Sequence, residues 1–498
     1  MQMKTLSKFV LGAVCGSLLT LSIYATADNQ SDLISASATT KATAGQIPMD
    51  EINNFAKVYA LAKNYYVESV TDSKLMKGAI NGMLTSLDPH SDYLDAEDFK
   101  QLSEMTSGSF AGLGIEVSRD KGSDGVKVVA PIYGTPAYVA GIKSGDFIVK
   151  IDNQPVSGMS LDDAIKKMRG KAGTKVTLSV VRASELQPLT FNIVRAKIEV
   201  KSVQSTILDN NYGYIRITNF QLDTTNELVN ALKKLQQKDP TMKGLILDLR
   251  DDPGGILQSA VGVSSVFLPK DSLIVYTDGR LANSKQKYYA KADDYDIDGT
   301  QQANIDSVPA LFKTIPIEVL VNQGTASASE IVSGALQDYK RAKILGTRTF
   351  GKGSVQTVIP LSSDTAIKLT TALYFTPKGR SIQAQGISPD IIIKSEYDNL
   401  LSSWDMSEAE LDNHLNNPNG NKTKNTESVP VITPPKQIAT KAELKARSEE
   451  KMKKMPKVVD QAQAQVDLQN DFQLQWALNL LEGKPLPADS LPAKANQK

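Results

Sequence analysis

Apolar residues change their spacing several times along the chain, and each change predicts a different kind of element. Ile52, Phe55, Val58, Tyr59, Ala62, Tyr65 and Tyr66 recur at helical spacing, as do Leu75, Met76, Ala79, Ile80, Met83 and Leu84. Leu87-Asp88-Pro89-His90-Ser91 ends this helical region, because proline disfavours helical backbone in the residue before it. From about Gly108 to Ala196, short β-rich runs alternate with turn residues: Gly114 to Val117, Val126 to Val129, Phe147 to Ile151, Lys175 to Arg182 and Thr190 to Val194. One helical stretch, Leu161 to Met168, interrupts them, with Asp162 and Asp163 in its first turn where acids suit the helix dipole.

From about Ile198 to Lys394 strands alternate with helices. Strands are predicted at Tyr214 to Thr218, Leu245 to Leu249, Ile317 to Val321 and Lys343 to Gly346, and helices at Asp223 to Gln237, Ile256 to Leu268 and Ser327 to Asp338. Such alternation predicts an α/β domain with a largely parallel sheet. Thr365 to Phe375 is a further strand. Beyond Leu400 the chain turns polar, and Asn416 to Lys457 reads as a linker. A last amphipathic helix carries Val459, Ala462, Val466, Phe472, Leu474, Trp476, Ala477, Leu480 and Leu481, and should dock on its own chain or on another subunit.

The 498 residues exceed one ordinary domain. Charge is nearly balanced, with 56 basic against 55 acidic residues, which argues against a nucleic-acid partner. Lys4 and Lys8 precede an apolar run from Phe9 to Tyr24 and an A-x-A site at Ala25-Thr26-Ala27, the pattern of a cleaved export signal over residues 1–27, with a retained inner-membrane anchor as the alternative because the run is at the short edge for a span. Cys15 is the one cysteine and lies inside that run, so the mature chain has no disulfide, thiol nucleophile or Cys-based metal site. Export without disulfides fits a bacterial periplasm.

The candidate chemistry lies in two short stretches. In Gly324-Thr325-Ala326-Ser327-Ala328-Ser329-Glu330 a serine stands where a buried-type strand turns into a helix. Ser327 there could attack a carbonyl while a neighbouring N–H such as that of Ala328 receives the oxyanion; it could equally be only a helix cap. The glycine turn in Arg250-Asp251-Asp252-Pro253-Gly254-Gly255, also after a strand, is the best candidate for a second donor. In Phe350-Gly351-Lys352-Gly353-Ser354-Val355-Gln356 a lysine sits between glycines and apolar flanks. Burial would suit Lys352 as a base, and an exposed turn lysine is the bland reading. Asp248 and Arg250 read as an ion pair fixing the glycine turn, and His90 as a hydrogen-bonded structural histidine. No H-E-x-x-H, P-loop or Gly-x-Ser-x-Gly elbow with a plausible histidine is present, so no metal or other cofactor is expected.

Together these motifs resemble the carboxy-terminal processing peptidases, PDZ-containing Ser–Lys serine proteases, over about residues 50 to 395. The 25-residue separation of Ser327 and Lys352, with Gln356 four further on, is similar to the family's arrangement. The resemblance implies Ser327 as nucleophile, Lys352 as general base and Gln356 as its orienting partner. Gly255 and Ala328 match the oxyanion-hole positions. Ala111-Gly112-Leu113-Gly114-Ile115-Glu116 resembles the PDZ carboxylate-binding loop, in which N–H groups of Leu113, Gly114 and Ile115 would hold a substrate's terminal carboxylate. Asp252-Pro253 stands where some members carry Asn or Gly.

The expected fold is an α/β, crotonase-like Ser–Lys protease core with an inserted β-rich PDZ domain and helical N- and C-terminal regions. The divisions are a signal peptide at 1–27, a helical region at 48–96, the PDZ domain at 97–196, the core at 197–398, a polar linker at 399–457 and a C-terminal helix at 458–484. The expected activity is that of a periplasmic endopeptidase acting near protein C-termini, with protein tails as partners. An activating adaptor, and homo-oligomers built through the terminal helices, are compatible with it. A partner-gated or inactive PDZ adaptor of the cell envelope is the alternative.

Overall fold

The computed structural model describes residues 48–119, 125–296, 304–395, 407–420, 429–434, 464, 466, 468, 471–487 and 490. The segment 1–27 read as an export signal, much of the 399–457 stretch and most of 458–470 lie outside the described residues; Val466, expected in the terminal helix, is described and lies outside it, the helix running only over Phe472–Leu481.

Among the described residues the largest sheet has seven strands, in the order Val203–Leu208, Tyr212–Ile217, Gly244–Asp248, Ile317–Val321, Lys343–Gly346, Ile391–Ile393 and Val431–Ile432. The first two form an antiparallel pair, and every later neighbour is parallel. Gly244–Asp248 and Ile317–Val321 are buried along their whole length because both faces of the sheet are covered. Leu245, Leu247, Ile317, Val319 and Val321 join the core built with the helices Thr224–Lys238, Leu257–Phe267 and Ala328–Asp338. The alternate residues Ile246 and Leu320 point to the opposite face, against Leu474 and Ala477 of the helix Phe472–Leu481. The terminal helix therefore docks on its own chain.

A second sheet was only partly foreshadowed by the strand at Thr365 to Phe375. Ala366–Phe375 is its backbone, flanked by Asp92–Leu94 and Leu273–Gly279, with Lys287–Tyr289 beyond and Ser354–Pro360 paired to the same long strand. All these pairings are antiparallel. It joins two pairs of neighbouring strands and the strand Asp92–Leu94 from three regions far apart in sequence, so no alternation of strand and helix announces it. It matters because Lys352 lies at the entrance to Ser354–Pro360.

The segment between the helix Ala96–Ser107 and the core forms a separate sheet, ordered Ile115–Ser118, Val126–Pro131, Phe147–Ile151, Lys175–Val181 and Leu189–Val194. It has its own core of Val126, Val128, Ile148, Leu178 and Val180. The helix Leu161–Met168 closes that core with Ala164 and Met168. Ser109–Gly112 pairs with Ala196–Glu199 where the chain enters and leaves this unit.

The stretch read as a polar linker behaves differently in its described parts. Val431–Ile432 adds an edge strand to the large sheet, and residues 407–420 are bound to the core by polar side chains. Hydrogen bonding, which composition does not reveal, holds them there.

Candidate active site

The strand Ile317–Val321 ends in a tight turn, and Ser327 caps the helix Ala328–Asp338. Ser327 has φ 56° and ψ −115°, a conformation that costs a non-glycine residue about 1–3 kcal/mol and persists only when the surroundings impose it. The turn is laced to the end of Gly244–Asp248: Thr325 Oγ1 donates to the Leu249 carbonyl at 2.7 Å, and Ala326 N and Ser329 Oγ donate to the Asp252 carbonyl at 3.0 and 3.1 Å. Gly254 and Gly255 lie against the turn with φ 94° and 146°. A Cβ on Gly254 would stand 2.6 Å from the Ala326 carbonyl oxygen and 2.8 Å from Ala328 N, and one on Gly255 would meet the Phe220 carbonyl oxygen at 2.1 Å. Only glycine permits this approach. The structure thus brings Gly254 against Ser327 and Ala328, with Gly255 the next residue along the chain.

Glu330, fully buried, ties the nucleophile turn to the lysine loop. Its Oε2 accepts from Ser327 N at 2.8 Å and from Lys352 N at 2.9 Å. Its Oε1 accepts from Gly351 N at 2.8 Å and from Thr349 Oγ1 at 2.5 Å. Burial pushes Glu330 up to about 7, while these four donors pull it back. Thr349 Oγ1 itself accepts from Ile387 N, so its own proton goes to Glu330. Four donors directed at its two oxygens fit the ionised form, which predominates once the pH rises above about 7. The signal for Glu330 was present in the sequence as Ser-x-x-Glu at a helix start, a capping-box spacing.

Lys352 is also fully buried, and burial pulls its ammonium from 10.5 down to about 7, opposed chiefly by the charge of Glu408. Nζ donates to Gln356 Oε1 at 2.5 Å and to the Ser354 carbonyl at 3.2 Å. The Gln356 amide is oriented from its other end: Nε2 donates to Ser354 Oγ and to Thr370 Oγ1, each at 3.0 Å. Thr370 Oγ1 donates onward to Asp88 Oδ1 at 2.9 Å. Asp88 also holds Ser91 Oγ at 2.6 Å, which gives the Asp88-Pro89-His90-Ser91 stretch its role. The Tyr374 hydroxyl donates to the Lys352 carbonyl and is hydrogen-bonded to the Ser327 side chain. Asp88 and Tyr374 were not singled out for roles from the sequence, because each reaches the site through the second sheet.

The Asp248–Arg250 pair is structural. Arg250 Nη2 lies 2.6 Å from Asp248 Oδ2 and 2.7 Å from Asp471 Oδ2, which fastens the terminal helix to the base of the glycine turn. His90 Nε2 stands 2.8 Å from Glu408 Oε2. Asp252 is fully buried; its Oδ1 accepts from Gly254 N at 2.9 Å, whereas Oδ2 has no hydrogen-bond partner among the described residues. Burial pushes this carboxyl well above the usual carboxylate range.

In the β-rich unit, Gly114 has φ 75°, and the Leu113 and Gly114 carbonyls are turned inward, accepting from Ala137 N and Ile132 N, each at 3.0 Å. Ile115–Ser118 is an edge strand, and Ile115 and Val117 share a half-buried apolar surface with Leu161 and Ile165. An extended peptide could add to this edge.

A family model for peptidase family S41 matches residues 211–393, one for the PDZ domain matches 101–181, and one for the activating protease CtpB N-terminal domain matches 9–98. The chain is 45% identical over 369 residues to a carboxy-terminal-processing protease of Bartonella bacilliformis, covering 73% of this chain and 80% of that protein. It is 37% identical over 391 residues to the carboxy-terminal processing protease CtpA of Bacillus subtilis, covering 78% of this chain and 77% of that protein. Among solved structures, a photosystem II D1 C-terminal processing protease is 31% identical, with a TM-score of 0.38, covering 69% of this chain and 86% of that one.

Two outcomes are expected from the buried carboxyls. Glu330→Gln sets an amide NH2 against two of four donors, so it should lower the melting temperature and cut activity at least about tenfold, since each stranded buried N–H costs about 1–3 kcal/mol. Thermal melts and peptide cleavage check this; wild-type values in both would refute the tie. Asp252→Asn should do the opposite. A carboxyl with a raised folded-state pKa loses stability as pH rises above its unfolded value near 3.8. The Asn variant should therefore melt a few degrees higher than wild type at pH 8, with the gain vanishing near pH 4.

Proposed function

The chain belongs to the carboxy-terminal processing proteases of peptidase family S41 and is a serine-type peptidase with a PDZ domain; from that premise we propose a periplasmic endopeptidase that cuts proteins near their C-termini by a Ser327–Lys352 dyad. One observation carries this reading: a single carboxylate oxygen of Glu330 accepts the backbone N–H of both Ser327 and Lys352, in a site dry enough to pull the lysine to about 7.

At its ordinary value of 10.5 roughly one lysine in three thousand would be neutral at pH 7; at about 7, half are. The shift corresponds to about 5 kcal/mol against the ammonium, which burial supplies. Neutral Lys352 Nζ takes the proton from Ser327 Oγ as Oγ bonds to the scissile carbonyl carbon. The N–H groups of Gly255 and Ala328 receive the oxyanion. As the tetrahedral intermediate collapses, the C–N bond breaks and the lysine ammonium returns its proton to the leaving amine nitrogen. Water then attacks the acyl-enzyme, losing a proton to Lys352; the Ser327 Oγ–carbon bond breaks as the lysine ammonium returns that proton to Oγ, which releases the product acid and restores the serine hydroxyl and the neutral lysine. Gln356 Oε1 keeps Nζ aimed through the cycle.

The N–H groups of Leu113, Gly114 and Ile115 would take the substrate's terminal carboxylate while its backbone adds to the edge strand Ile115–Ser118. Export is supported by the basic start, apolar run and Ala25-Thr26-Ala27 site. Cleavage seen only with added envelope extract would favour the partner-gated alternative.

Ser327→Ala and Lys352→Ala should each reduce cleavage of an unstructured-tail substrate by at least about a thousandfold with the melting temperature preserved. Substantial activity in either folded variant would sink the dyad. The rate should fall about tenfold per pH unit below a midpoint near 7, as the lysine protonates, and level off above it. A flat profile from pH 5 to 9 would rule Lys352 out as base.

A further inference from the structure

Residues 407–420 form a strap that returns to the candidate site between the strands Ile391–Ile393 and Val431–Ile432, and they lie outside the stretch matched by the S41 family model. Polar side chains sew it down. Asn417 Nδ2 donates to the Gln383 and Ser381 carbonyls at 2.6 and 3.2 Å, Ser381 N to Asn419 Oδ1 at 2.6 Å, and Gln385 Nε2 to the Gly420 carbonyl at 2.9 Å. The strap's Glu408 is fully buried, with its N–H donating to the Phe350 carbonyl at 3.0 Å, two residues before Lys352. Glu408 Oε1 accepts from Gln383 Nε2 at 2.8 Å, and Gln383 Oε1 accepts from Gly353 N at 2.9 Å, one residue after Lys352. A Cβ on Gly353 would lie 2.4 Å from Gln383 N, so the lysine loop and the Gln383 segment meet backbone to backbone. Glu408 Oε2 faces His90 Nε2 at 2.8 Å.

We propose that Glu408 is a positioning residue of the catalytic centre: the strap grips the lysine loop on both sides of Lys352 and sets a buried carboxylate charge beside the base. The proposal rests on Lys352 as the base. The groups acting most strongly on Lys352 are Glu408, Lys368 on the strand Ala366–Phe375, Glu330 on the helix Ala328–Asp338 and Asp88 on the N-terminal segment, and His90 also couples to it. Glu408 exerts the largest influence of the four, and it favours the ammonium. His90 does not cancel that charge. Burial pulls its imidazole below the ordinary value, with Lys352 acting in the same direction, so a neutral ring donates Nε2–H to the carboxylate.

The sign follows. Glu408→Gln keeps an oxygen for Gln383 and removes the charge, so Lys352 should lose its proton more readily. The acid limb of the pH–rate profile should move down by about one unit, the low end of the effect of a close opposite charge. A merely structural role would lower the rate and leave the limb in place. The measurement is the pH dependence of tail-peptide cleavage by full-length wild type, Glu408→Gln and Lys352→Ala, with melting curves for each. A limb displaced to lower pH supports the proposal. An unmoved limb, whether the rate falls or holds, overturns it while an inactive Lys352→Ala leaves the base assignment standing. An active Lys352→Ala overturns both. If Glu408→Gln does not fold, Glu408→Asp serves, because withdrawing the charge by one methylene should move the limb the same way by less; no movement overturns the proposal.

Discussion

The site depends on one buried carboxylate. Glu330 places the backbone N–H groups of Ser327 and Lys352 on the same oxygen, and the N–H of Gly351 and hydroxyl of Thr349 on the other. Ser327 and Lys352 come from segments attached to different sheets, and neither chain direction nor side-chain packing alone would fix their separation. The carboxylate does so at the level of the main chain, which leaves both side chains available for chemistry. It also helps to hold Ser327 at φ 56°, a conformation the residue would not keep unaided.

Around that tie the molecule gathers distant segments, each with a distinct physical task. The glycine turn at Gly254-Gly255 brings backbone against the nucleophile turn where a Cβ would not fit. Asp88, from the N-terminal region, acts through Thr370 to turn the Gln356 amide so that its oxygen faces Lys352. Asp471, at the start of the terminal helix, holds Arg250 beneath the glycine turn. The catalytic core is therefore completed by both ends of the chain, and the buried lysine is the common beneficiary: dry enough to lose its proton, yet supplied with acceptors when it carries one.

What could be read from the sequence was what is local. Parallel strands with near-continuous apolar runs, such as Ile317–Val321, and the helix after Ser327 follow from periodicity and from the turn between them. Ser327, Lys352 and Gln356 are candidates through their spacing and a family resemblance. The burial of Lys352 was hinted at only by its apolar flanks, because it is created by an antiparallel sheet in which the hairpin of Ser354–Pro360 and Ala366–Phe375 pairs with the sequence-distant strand Leu273–Gly279. Glu408 was hidden for a different reason. Its stretch is polar, and polarity reads as solvation; here the polar atoms of Glu408, Asn417 and Asn419 face partners instead of water.

The central claim is that Lys352 is substantially neutral at working pH because the fold keeps it dry. A heteronuclear NMR titration of the Lys352 side chain in the folded Ser327→Ala variant, assigned by comparison with Lys352→Arg, measures this directly. The account predicts a midpoint near 7. A midpoint near the ordinary lysine value of 10.5 would contradict it.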